Sequence, residues 1–359
     1  MTSESNIDYE NIVYQVAVPS PLRRLFDYRP RCIKQVIEPG SRVVVPFGPR
    51  TVVGFVMSKT FESTIPLSKL KLIIEILDEE PILPHEILSI LKWSSDYYHH
   101  PIGQVLSTAV PKKIRGHSQV KPKIKTWKSL ENISKSKSAL VKNAPKQRAL
   151  LKLLEKKYLT KFEIKQAGFS SSLVKELEAK ELIVETTLLD PSDKPFKPIP
   201  RENPRSMVLS DEQNLAIVSI RKREDDFQCF LLQGVTGSGK TEVYMQAMQS
   251  HLAKGRQCLV LVPEIGLTPQ ILNRFTERFE CSIRTLHSGL SDSERLESWN
   301  MTREGQAGIL IGTRSSVFTP FHKLGMIIID EEHDGSFKQQ EGFKYSARDL
   351  AIFLSLIHI

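Results

Sequence analysis

The sequence predicts a multidomain α/β protein with a β-rich N-terminal domain, a winged-helix module and a parallel α/β nucleotide-binding lobe. Three observations lead to this fold class. Short alternating strands separated by turn residues dominate the first 110 positions. Short helical periods followed by a strand occupy residues 145–188, and strands alternate with helices from residue 206 onward. Alternation of the last kind is typical of a parallel sheet with helices on both faces.

Composition places the chain among ordinary globular proteins. Its 359 residues are enough for two or three domains at about 150 residues each. The four cysteines are scattered without a Cys-x-x-Cys pair, so we predict neither a zinc site nor a disulfide framework, and we expect a reducing compartment. Residues 1–10 lack the apolar core of a signal peptide, and no apolar run approaches the length of a membrane span.

Positive charge is concentrated in one block of the chain. The net charge is +9, and residues 111–165 carry 17 Lys or Arg against 3 acids. Such a block indicates a polyanionic partner, although a solvated lysine-rich linker has the same composition. Within it, residues 112–142 lack apolar periodicity and predict an exposed basic connector. Residues 191–205 are rich in proline and predict a linker.

The first 110 residues predict a small β-rich domain closed by a helix. Residues 11–18 alternate between apolar and polar side chains before two prolines. Residues 41–45 and 51–57 are apolar and flank a Pro-Phe-Gly-Pro turn, which predicts a hairpin. Residues 71–77 predict another strand, and residues 84–98 have a helical period. These patterns alone do not predict a ligand.

A winged-helix module is predicted for the region up to residue 190. Pro145 suits the start of a first helix, and residues 160–167 predict a second. Gly168 ends that helix and Ser170 caps a third, before a strand at residues 183–188. Such modules bind DNA or serve as spacers that bind other proteins, and both roles stay open at this point.

The pattern Gly-x-x-x-x-Gly-Lys-Thr at residues 234–241 is the phosphate-loop motif. An apolar run at 227–233 predicts a strand before it, and residues 242–254 predict a helix after it. Glycines let backbone N–H groups curl around a phosphate, while the helix directs its positive end toward the same anion. Lys240 is therefore predicted to bridge the β- and γ-phosphates, and Thr241 to bind Mg²⁺. The alternative is a glycine-rich turn with a chance lysine.

The rest of the lobe continues the alternation. A helix is predicted at residues 268–279, and Ser291 with Glu294 forms a capping box at the start of another. The predicted strands are 257–262, 282–287, 309–312 and 326–330.

Two carboxylates follow the last of these strands. Asp330 and Glu331 lie about 90 residues after the phosphate loop, at the carboxyl end of an apolar strand, where parallel sheets bind ligands. We predict that Asp330 holds Mg²⁺ through water and that Glu331 orients the attacking water and accepts its proton. Acids at a strand end are weak evidence alone, and the phosphate loop is what strengthens them.

An aromatic-rich loop follows at residues 337–348. Three aromatic side chains alternate there with Lys and Arg, a composition that suits stacking on bases with contacts to phosphates. The alternative is a surface loop whose aromatic rings pack into the core. Because the loop is close to the carboxylates, we favour a loop that couples DNA binding to hydrolysis.

Taken in order, these segments resemble the PriA-type replication restart helicases of superfamily 2. The matching segments are 25–28, 42–48, 96–103, 234–244, 262–270, 287–290, 312–321 and 330–333. The resemblance implies a RecA-like first helicase lobe and an ATP-driven 3′-to-5′ DNA helicase. It also implies recognition of stalled or abandoned replication forks and help in reloading the replicative helicase during primosome assembly.

The resemblance also implies site residues. Those implied for ATP are Gln213, Gly234, Gly237, Gly239, Lys240 and Thr241, with Asp330 and Glu331 as the hydrolytic pair. Those implied for DNA on the lobe are Thr268, Gln270, Arg314, Phe337, Lys338, Phe343, Tyr345 and Arg348. Phe26, Asp27, Gly48 and Lys71 resemble a pocket for the 3′ end of a nascent strand, where a carboxylate accepts a hydrogen bond from the free hydroxyl. The alternative is that Phe26 and Asp27 only form a turn.

Cofactors and partners follow from the same resemblance. ATP and Mg²⁺ are expected here, and Zn²⁺ only in a full-length parent that adds a second lobe, a cysteine-rich zinc region and a C-terminal domain. Residues 354–359 depart from the family pattern, which we interpret as a truncated or misassembled end. The partners implied are forked and single-stranded DNA, single-stranded DNA-binding protein and primosome proteins, in the bacterial cytoplasm near the nucleoid and without a membrane.

Two other functions stay open. The chain could come from a different superfamily 2 DNA translocase, or from a non-enzymatic adaptor that binds forks. If the chain instead comes from a replication restart helicase, we expect a fragment that binds DNA and ATP and hydrolyses ATP poorly. The reason is that the γ-phosphate-sensing arginine of the family lies in the second lobe.

Overall fold

A computed structural model describes most of the chain. The described residues are 12–31, 36–117, 124–129, 144–156, 159–160, 164–165, 167–188, 196, 199–200, 209–235, 237–266 and 268–357. The chain divides into two compact units. One comprises Met1–Val120 and Lys194–Ile359, and the other comprises Lys121–Asp193.

The N-terminal part of the first unit is a six-stranded sheet in the order β5-β2-β1-β4-β3-β6. Its strands are β1 (Val13–Ala17), β2 (Phe26–Arg29), β3 (Arg42–Phe47), β4 (Arg50–Thr60), β5 (Lys71–Leu72) and β6 (Glu75–Ile76). Strands β3 and β4 form the antiparallel hairpin that the Pro-Phe-Gly-Pro turn predicts. The predicted strand at residues 11–18 is confirmed as β1.

The prediction of one continuous strand at residues 71–77 is wrong, because the structure has two short strands there. The segment instead makes two short pairings, β5 with β2 and β6 with β3. The Ile73 N–H donates to the Arg29 carbonyl at 2.8 Å, and the Ile74 N–H donates to the Val44 carbonyl at 2.9 Å. Because polar groups of successive extended residues point in opposite directions, one short segment pairs with both edges of the sheet and closes it.

Two helices follow the sheet, α1 (His85–Tyr97) and α2 (Ile102–Ala109). The apolar period predicted for residues 84–98 is confirmed, because α1 buries Ile87, Leu88, Ile90 and Leu91. These side chains share one hydrophobic cluster with residues of the C-terminal part of the same unit. The two helices therefore form a wall between the β-rich part and that C-terminal part.

Arg42 is a fully buried cation at the start of β3, with 0% of its surface exposed. Its guanidinium donates to the Asp78 carboxylate, with Nη2 at 2.6 Å from Oδ1. Nη1 donates to the backbone carbonyls of Ile114 and Gly116, each at 3.0 Å. Arg42 thus ties the residues after α2 to the sheet through hydrogen bonds that its positive charge strengthens.

Removal of Arg42 is expected to destabilise the first unit. In Arg42→Met, Asp78 stays buried without its cation, which we expect to cost about 3–5 kcal/mol of unfolding free energy. Urea denaturation followed by circular dichroism measures the change. Lys59→Met is the matched control, because Lys59 pairs with Glu38 on the surface and should cost less than about 1 kcal/mol. Equal losses in the two variants would contradict the role of Arg42.

Within the residues that the structure describes, the second unit contains a three-stranded antiparallel sheet in the order β8-β7-β9 and two helices longer than two residues. Its elements are β7 (Ile124–Ser129), α3 (Pro145–Lys156), β8 (Leu159–Thr160), α4 (Ser171–Ala179) and β9 (Ile183–Leu188). The core includes Trp127, Leu150 and Leu177. The indole N–H of Trp127 donates to Glu178 Oε1 at 2.7 Å.

The predictions for this region have mixed outcomes. The helix start at Pro145, the Ser170 cap and the strand at 183–188 are confirmed, and Ser170 Oγ accepts from the Leu173 N–H. The connector at 112–142 is wrong in part, because β7 lies within it and pairs with both β8 and β9. Of the helix predicted at 160–167, residues 164 and 165 are helical, Thr160 lies in β8 and Ala167 lies in a turn, while residues 161–163 and 166 lie outside the described ranges. So does most of the linker at 191–205.

The C-terminal part of the first unit contains a four-stranded parallel sheet in the order β13-β14-β11-β15. The elements of this lobe are β10 (Ile199–Pro200), α5 (Asp211–Arg221), α6 (Lys240–Ala253), β11 (Gln257–Leu261), α7 (Pro269–Arg278), β12 (Phe279–Glu280), β13 (Ile283–Leu286), α8 (Asp292–Arg303), β14 (Ile309–Gly312), β15 (Leu324–Ile329) and α9 (Ala347–Ile357). The strands predicted at 257–262, 282–287, 309–312 and 326–330 are confirmed, and so is the Ser291 capping box.

Both faces of the parallel sheet are covered, as the alternation of elements predicts. Along β11, Leu259 and Leu261 enter one hydrophobic cluster, while Cys258 and Val260 enter the other. All four side chains have 0% exposure. The carboxyl ends of β11 and β15 therefore open at one edge of a rigid sheet, which is where the motif residues lie.

The strand predicted at residues 227–233 is wrong. This segment has no strand assignment, and Phe230 and Leu231 are 47% and 75% exposed. A strand needs a hydrogen-bonded neighbour, and β15 pairs only with β11 in the part of the chain that the structure describes. The apolar composition predicts a buried strand correctly only when a neighbouring strand is there to pair with it.

Aromatic side chains join the helical wall to the lobe. Trp93 of α1 stacks on Phe353 of α9 with ring centroids 4.6 Å apart. The Tyr98 hydroxyl donates to Asp349 Oδ2 at 3.2 Å and accepts from the Ser346 N–H at 3.2 Å. Burial raises the pKa of Tyr98 to about 12, so the phenol stays protonated at neutral pH.

Among the described helices, none has both the length and the apolar character that crossing a bilayer requires.

Candidate functional site

The phosphate loop leads directly into helix α6, whose first residue is Lys240. Gly237 and Gly239 have φ of +81° and +80°, the left-handed region that glycine adopts without strain. A Cβ on Gly239 would also collide with Nε2 of Gln213. The backbone angle is what requires glycine at residue 239, since the Gln213 amide is the end of a flexible side chain and can move. The N-terminus of α6 faces the loop, and the positive end of its dipole favours an anion there.

Two side chains hold the loop in its present shape. Lys240 Nζ donates to the carbonyls of Gly234 at 2.7 Å and Val235 at 3.2 Å. The Gln213 amide accepts from the Ser210 N–H through Oε1 at 3.0 Å and donates to the Ser238 carbonyl through Nε2 at 2.9 Å. Gln213 thus connects the start of α5 to the loop. Lys240 is turned back on its own loop, which leaves its ammonium beside the space that a phosphate would fill.

The two predicted carboxylates lie at the end of β15. The Asp330 N–H donates to the Leu261 carbonyl at 2.9 Å, which extends the ladder of the sheet to the acid. Burial raises the pKa of Asp330, and the neighbouring Glu331 raises it further. Glu331 has φ of +50°, a strained angle for a residue with a Cβ, and its side chain is exposed. Strain of this kind concentrates at functional sites.

The structure brings the phosphate loop and the carboxylates together. Tyr244 lies one turn along α6 from Thr241, on the same face of the helix. The Tyr244 hydroxyl donates to Asp330 Oδ2 at 3.3 Å. The positive charge of Lys240 lowers the pKa of Asp330, although burial and Glu331 outweigh it, so these groups are within electrostatic reach. The folded chain therefore places the phosphate-loop helix beside Asp330, and Tyr244 of that helix contacts the carboxylate.

The donor set fits a magnesium ion. Carboxylate and hydroxyl oxygens are the ligands Mg²⁺ uses, and one or two protein ligands suffice when phosphates and water supply the others. Asp330 and Thr241 offer these oxygens on facing elements. No group of three or more His, Cys, Asp or Glu suited to a metal occurs in the described ranges. The remaining ligands would therefore come from nucleotide and water.

The β-rich domain contains a cavity of about 880 Å³. Its lining includes all four residues predicted for a strand end, Phe26, Asp27, Gly48 and Lys71. Phe26 packs edge-on against Phe47 with centroids 5.1 Å apart, so an aromatic wall faces the charged groups. The structure brings the predicted residues to one cavity, and Phe26 and Asp27 lie in β2 rather than in a turn.

Three residues of these sites were missed by the sequence reasoning. Ser63 Oγ donates to Asp27 Oδ2 at 2.6 Å, and the Arg24 guanidinium lies 4.9 Å from the centre of the Phe26 ring. The sequence does contain a signal for Tyr244 as a site residue. It lies three residues after Thr241, and residues three apart on a helix share a face. Ser63 had none, since its partner lies 36 residues away in the chain.

The prediction that aromatic side chains after the carboxylates stack on bases is wrong for this structure. Phe337, Phe343 and Tyr345 are 1%, 3% and 1% exposed and belong to the hydrophobic core. Their rings pack in the protein interior, for example Phe343 on Tyr345 at 5.0 Å, because burial of a large ring outweighs exposure near a charged site. Lys338 and Arg348 are exposed, and Arg348 pairs with Glu332 at 3.0 Å.

The other residues predicted for DNA tracking lie on the same edge of the lobe sheet. Thr268 caps α7, its hydroxyl accepting from the Ile271 N–H at 3.4 Å, and Gln270 is exposed in the first turn. Arg314 donates to the Ser336 carbonyl at 3.1 Å, so it contacts the loop that follows the carboxylates. No contact here distinguishes DNA tracking from a structural role, and the assignment stays a prediction.

Two protein-family models match the chain. Residues 15–111 match a 3′ DNA-binding domain, the one named for PriA. Residues 210–356 match the DEAD/DEAH box helicase domain. The parallel sheet, the phosphate loop and the Asp-Glu pair therefore define a helicase-type nucleotide-binding domain, joined to a β-rich domain of the 3′ DNA-binding class.

Curated relatives point to one protein. The chain is 41% identical to replication restart protein PriA of Haemophilus influenzae over 96% of its own length and 47% of that protein. It is 33% identical to PriA of Bacillus subtilis over 96% of its length and 51% of that protein. These matches are consistent with an N-terminal portion of a PriA protein, and the chain spans about half the length of the curated relatives it matches.

A solved structure is also similar. The structure of RecG bound to a three-way DNA junction matches 43% of this chain and 24% of that chain. The identity is 26% and the TM-score is 0.33.

Proposed function

We propose that residues 209–357 bind MgATP at the phosphate loop and that the whole protein uses its hydrolysis to unwind DNA in the 3′-to-5′ direction. The observation that carries the proposal is the hydrogen bond from the Tyr244 hydroxyl to Asp330 Oδ2, which brings helix α6, whose first residues are Lys240 and Thr241, to the end of β15. Lys240 would leave its own loop carbonyls for the phosphates. Thr241 and Asp330 would hold Mg²⁺, which supplies charge neutralisation of the phosphates.

Glu331 suits the role of general base in the same reaction. Its carboxylate is exposed at the sheet edge beside Asp330, where it can accept a proton from water. The phosphate loop, Gln213 and α6 would bind and orient the nucleotide. We expect this chain to bind nucleotide and to turn it over slowly, because the apolar segment before the loop is not anchored in the sheet.

The β-rich domain would hold the 3′ end of a DNA strand. Its cavity combines an aromatic wall at Phe26, cations at Arg24 and Lys71 and the carboxylate of Asp27. A ring can stack on a terminal base, the cations suit a phosphate, and the carboxylate accepts a hydrogen bond from a free hydroxyl. A strand that continues past this point has no free hydroxyl there. The pocket would therefore distinguish an end from an interior nucleotide.

Selection for the hydroxyl is expected to depend on Asp27. The chain should bind a fork with a 3′-hydroxyl about tenfold more tightly than one with a 3′-phosphate, because the phosphate loses the hydrogen bond and is repelled by the carboxylate. Asp27→Asn should reduce this preference to about twofold, since its neutral amide no longer repels the phosphate. Fluorescence anisotropy with the two forks measures both values.

The matched control is Asp96→Asn, because Asp96 is an exposed acid on α1 outside the cavity. It should keep the full preference. An unchanged preference in Asp27→Asn would show that the carboxylate does not read the strand end. A chain that binds both forks equally before mutation would instead favour a different superfamily 2 translocase.

Further assignments rest on the resemblance to the family, and for the second unit also on the arrangement of its elements. We infer that the second unit is a winged-helix module, since two helices pack on a three-stranded sheet with a capped final helix. The whole protein would act at stalled or abandoned forks in the bacterial cytoplasm near the nucleoid, with single-stranded DNA-binding protein and primosome proteins as partners. Zn²⁺ would belong to parts of that protein outside this chain.

A further inference from the structure

The loop that connects β4 to β5 forms part of the wall of the cavity in the β-rich domain. It contributes residues 62–65, 69 and 70 to the lining. Two side chains fold this loop locally. The Thr60 hydroxyl oxygen accepts from the Glu62 N–H at 3.1 Å, and the Ser63 hydroxyl oxygen accepts from the Ile65 N–H at 3.0 Å. Such side-chain-to-backbone turns hold a loop in place without regular structure, so the Ser63 hydroxyl is fixed by its own loop.

The same hydroxyl of Ser63 reaches across the cavity wall to Asp27. Ser63 Oγ lies 2.6 Å from Asp27 Oδ2. An ionised carboxylate can only accept, so Ser63 is the donor, and the distance is that of a short hydrogen bond to a charged acceptor. The Ile65 N–H occupies a lone pair of Ser63, which directs the one hydroxyl proton toward Asp27.

This contact has a consequence for the other oxygen of Asp27. The terminal torsion of an aspartate is broad, so a carboxylate without a partner spreads its two oxygens over many directions. Among the residues that the structure describes, Ser63 is the one side chain that hydrogen-bonds this carboxylate, and it holds Oδ2. Oδ1 is thereby placed as well, and it is the oxygen left to accept from a ligand in the cavity.

We propose that Ser63 is a positioning residue that fixes the Asp27 carboxylate so that Oδ1 receives the hydrogen bond from the free 3′-hydroxyl of a DNA strand. The inference rests on the proposed pocket for a strand end and goes beyond it, because Ser63 acts through Asp27 and needs no contact with the DNA. A preorganised acceptor loses less conformational freedom when the hydroxyl binds. Selection for the hydroxyl therefore depends on Ser63 even though Asp27 supplies the charge.

The test is Ser63→Ala, measured with three forks that differ only at the 3′ terminus: a hydroxyl, a hydrogen in its place, or a phosphate. Fluorescence anisotropy gives the three affinities. We expect the preference for hydroxyl over hydrogen to fall from about fivefold to below about twofold. Affinity for the hydrogen-terminated fork should change less than about twofold, because that end makes no hydrogen bond to Asp27. The phosphate end should stay weaker than the hydrogen end, since Asp27 keeps its negative charge.

Further variants separate positioning from a general effect on the fold. Ser63→Thr retains the hydroxyl and should keep the full preference. Ser107→Ala is the matched control, because the Ser107 hydroxyl donates to the Gly103 carbonyl at 2.8 Å in α2, outside the cavity lining, and it should leave all three affinities unchanged. In an Asp27→Asn background, Ser63→Ala should add less than about a twofold change, since the two residues act as a unit. Ser63→Gly also lacks the hydroxyl and should reproduce the loss if the alanine variant does not fold.

Each result decides the matter. An unchanged preference for hydroxyl over hydrogen in Ser63→Ala overturns the inference and leaves the pocket intact. Equal weakening for all three ends overturns it as well, because that indicates a damaged loop, and so does a threonine variant that loses the preference as alanine does. An unmutated chain that binds the hydroxyl and hydrogen ends equally overturns the proposed pocket, and the role of Ser63 with it.

Discussion

Lys240→Ala is expected to lower the affinity of this chain for ATP about 100-fold, with Mg²⁺ or without it. The ammonium is the one charged group placed inside the phosphate loop, where it now contacts the carbonyls of Gly234 and Val235. With nucleotide bound, it would exchange these carbonyls for phosphate oxygens. A hydrogen bond between charged groups contributes about 1.5–3 kcal/mol, and 2.7 kcal/mol corresponds to about 100-fold. Isothermal titration calorimetry measures the loss.

The matched control is Lys254→Ala at the other end of the same helix. Lys254 pairs with Glu224 and Asp225, far along α6 from the loop, so this variant should bind ATP as the unmutated chain does. The same substitution at Lys240 in the whole protein should abolish unwinding. Full unwinding by that variant would favour the adaptor hypothesis, in which the loop does not drive a motor.

Gln257→Leu is expected to destabilise the helicase-type lobe by about 3–5 kcal/mol. Gln257 begins β11 and is 1% exposed. Its amide Nε2 donates to the carbonyls of Thr302 at 2.9 Å and Ala307 at 2.7 Å. Its Oε1 accepts from the N–H groups of His322 at 2.7 Å and Lys323 at 3.0 Å. One side chain thus satisfies four backbone groups from two separate connections.

The cost arises because leucine fills the space but satisfies none of these groups. The two carbonyls are buried, and each unsatisfied buried group costs about 1–3 kcal/mol. Urea denaturation of the chain measures the change, followed by tryptophan fluorescence, to which Trp299 of α8 contributes. Gln340→Leu, at an exposed position, should change the unfolding free energy by less than about 0.5 kcal/mol. A loss below about 1 kcal/mol in Gln257→Leu would contradict this account of the lobe.

The sequence predicts the lobe well where local pattern and tertiary structure agree. Strand β14 occupies residues 309–312 as predicted, because a short apolar run in a parallel sheet is buried on both faces. The Ser291 capping box is equally local, since the two side chains that form it are three residues apart. Motif spacing and fold predict that the phosphate-loop helix approaches Asp330, and the Tyr244 hydroxyl of that helix contacts the Asp330 carboxylate.

The predictions are wrong where contacts between residues far apart in the sequence determine the local structure. Residues 227–233 have the composition of a strand, yet pairing depends on a neighbour that composition does not reveal. The rings at Phe337, Phe343 and Tyr345 alternate with charges as a DNA-binding loop would, yet the wall formed by α1 and α2, together with helix α9, provides an apolar surface that buries them. Ser63 and Asp27 meet across 36 residues, a contact set by the closed sheet.

Hydrogen exchange with and without a slowly hydrolysed MgATP analogue tests the central claim most directly. The claim is that the phosphate loop and the carboxylates form one nucleotide site, although about 90 residues separate them in the chain. We predict that peptides covering residues 237–245 and 328–333 gain protection together, and that Lys240→Ala abolishes both gains. Protection of the loop alone, with the carboxylate peptide unchanged, would contradict the claim.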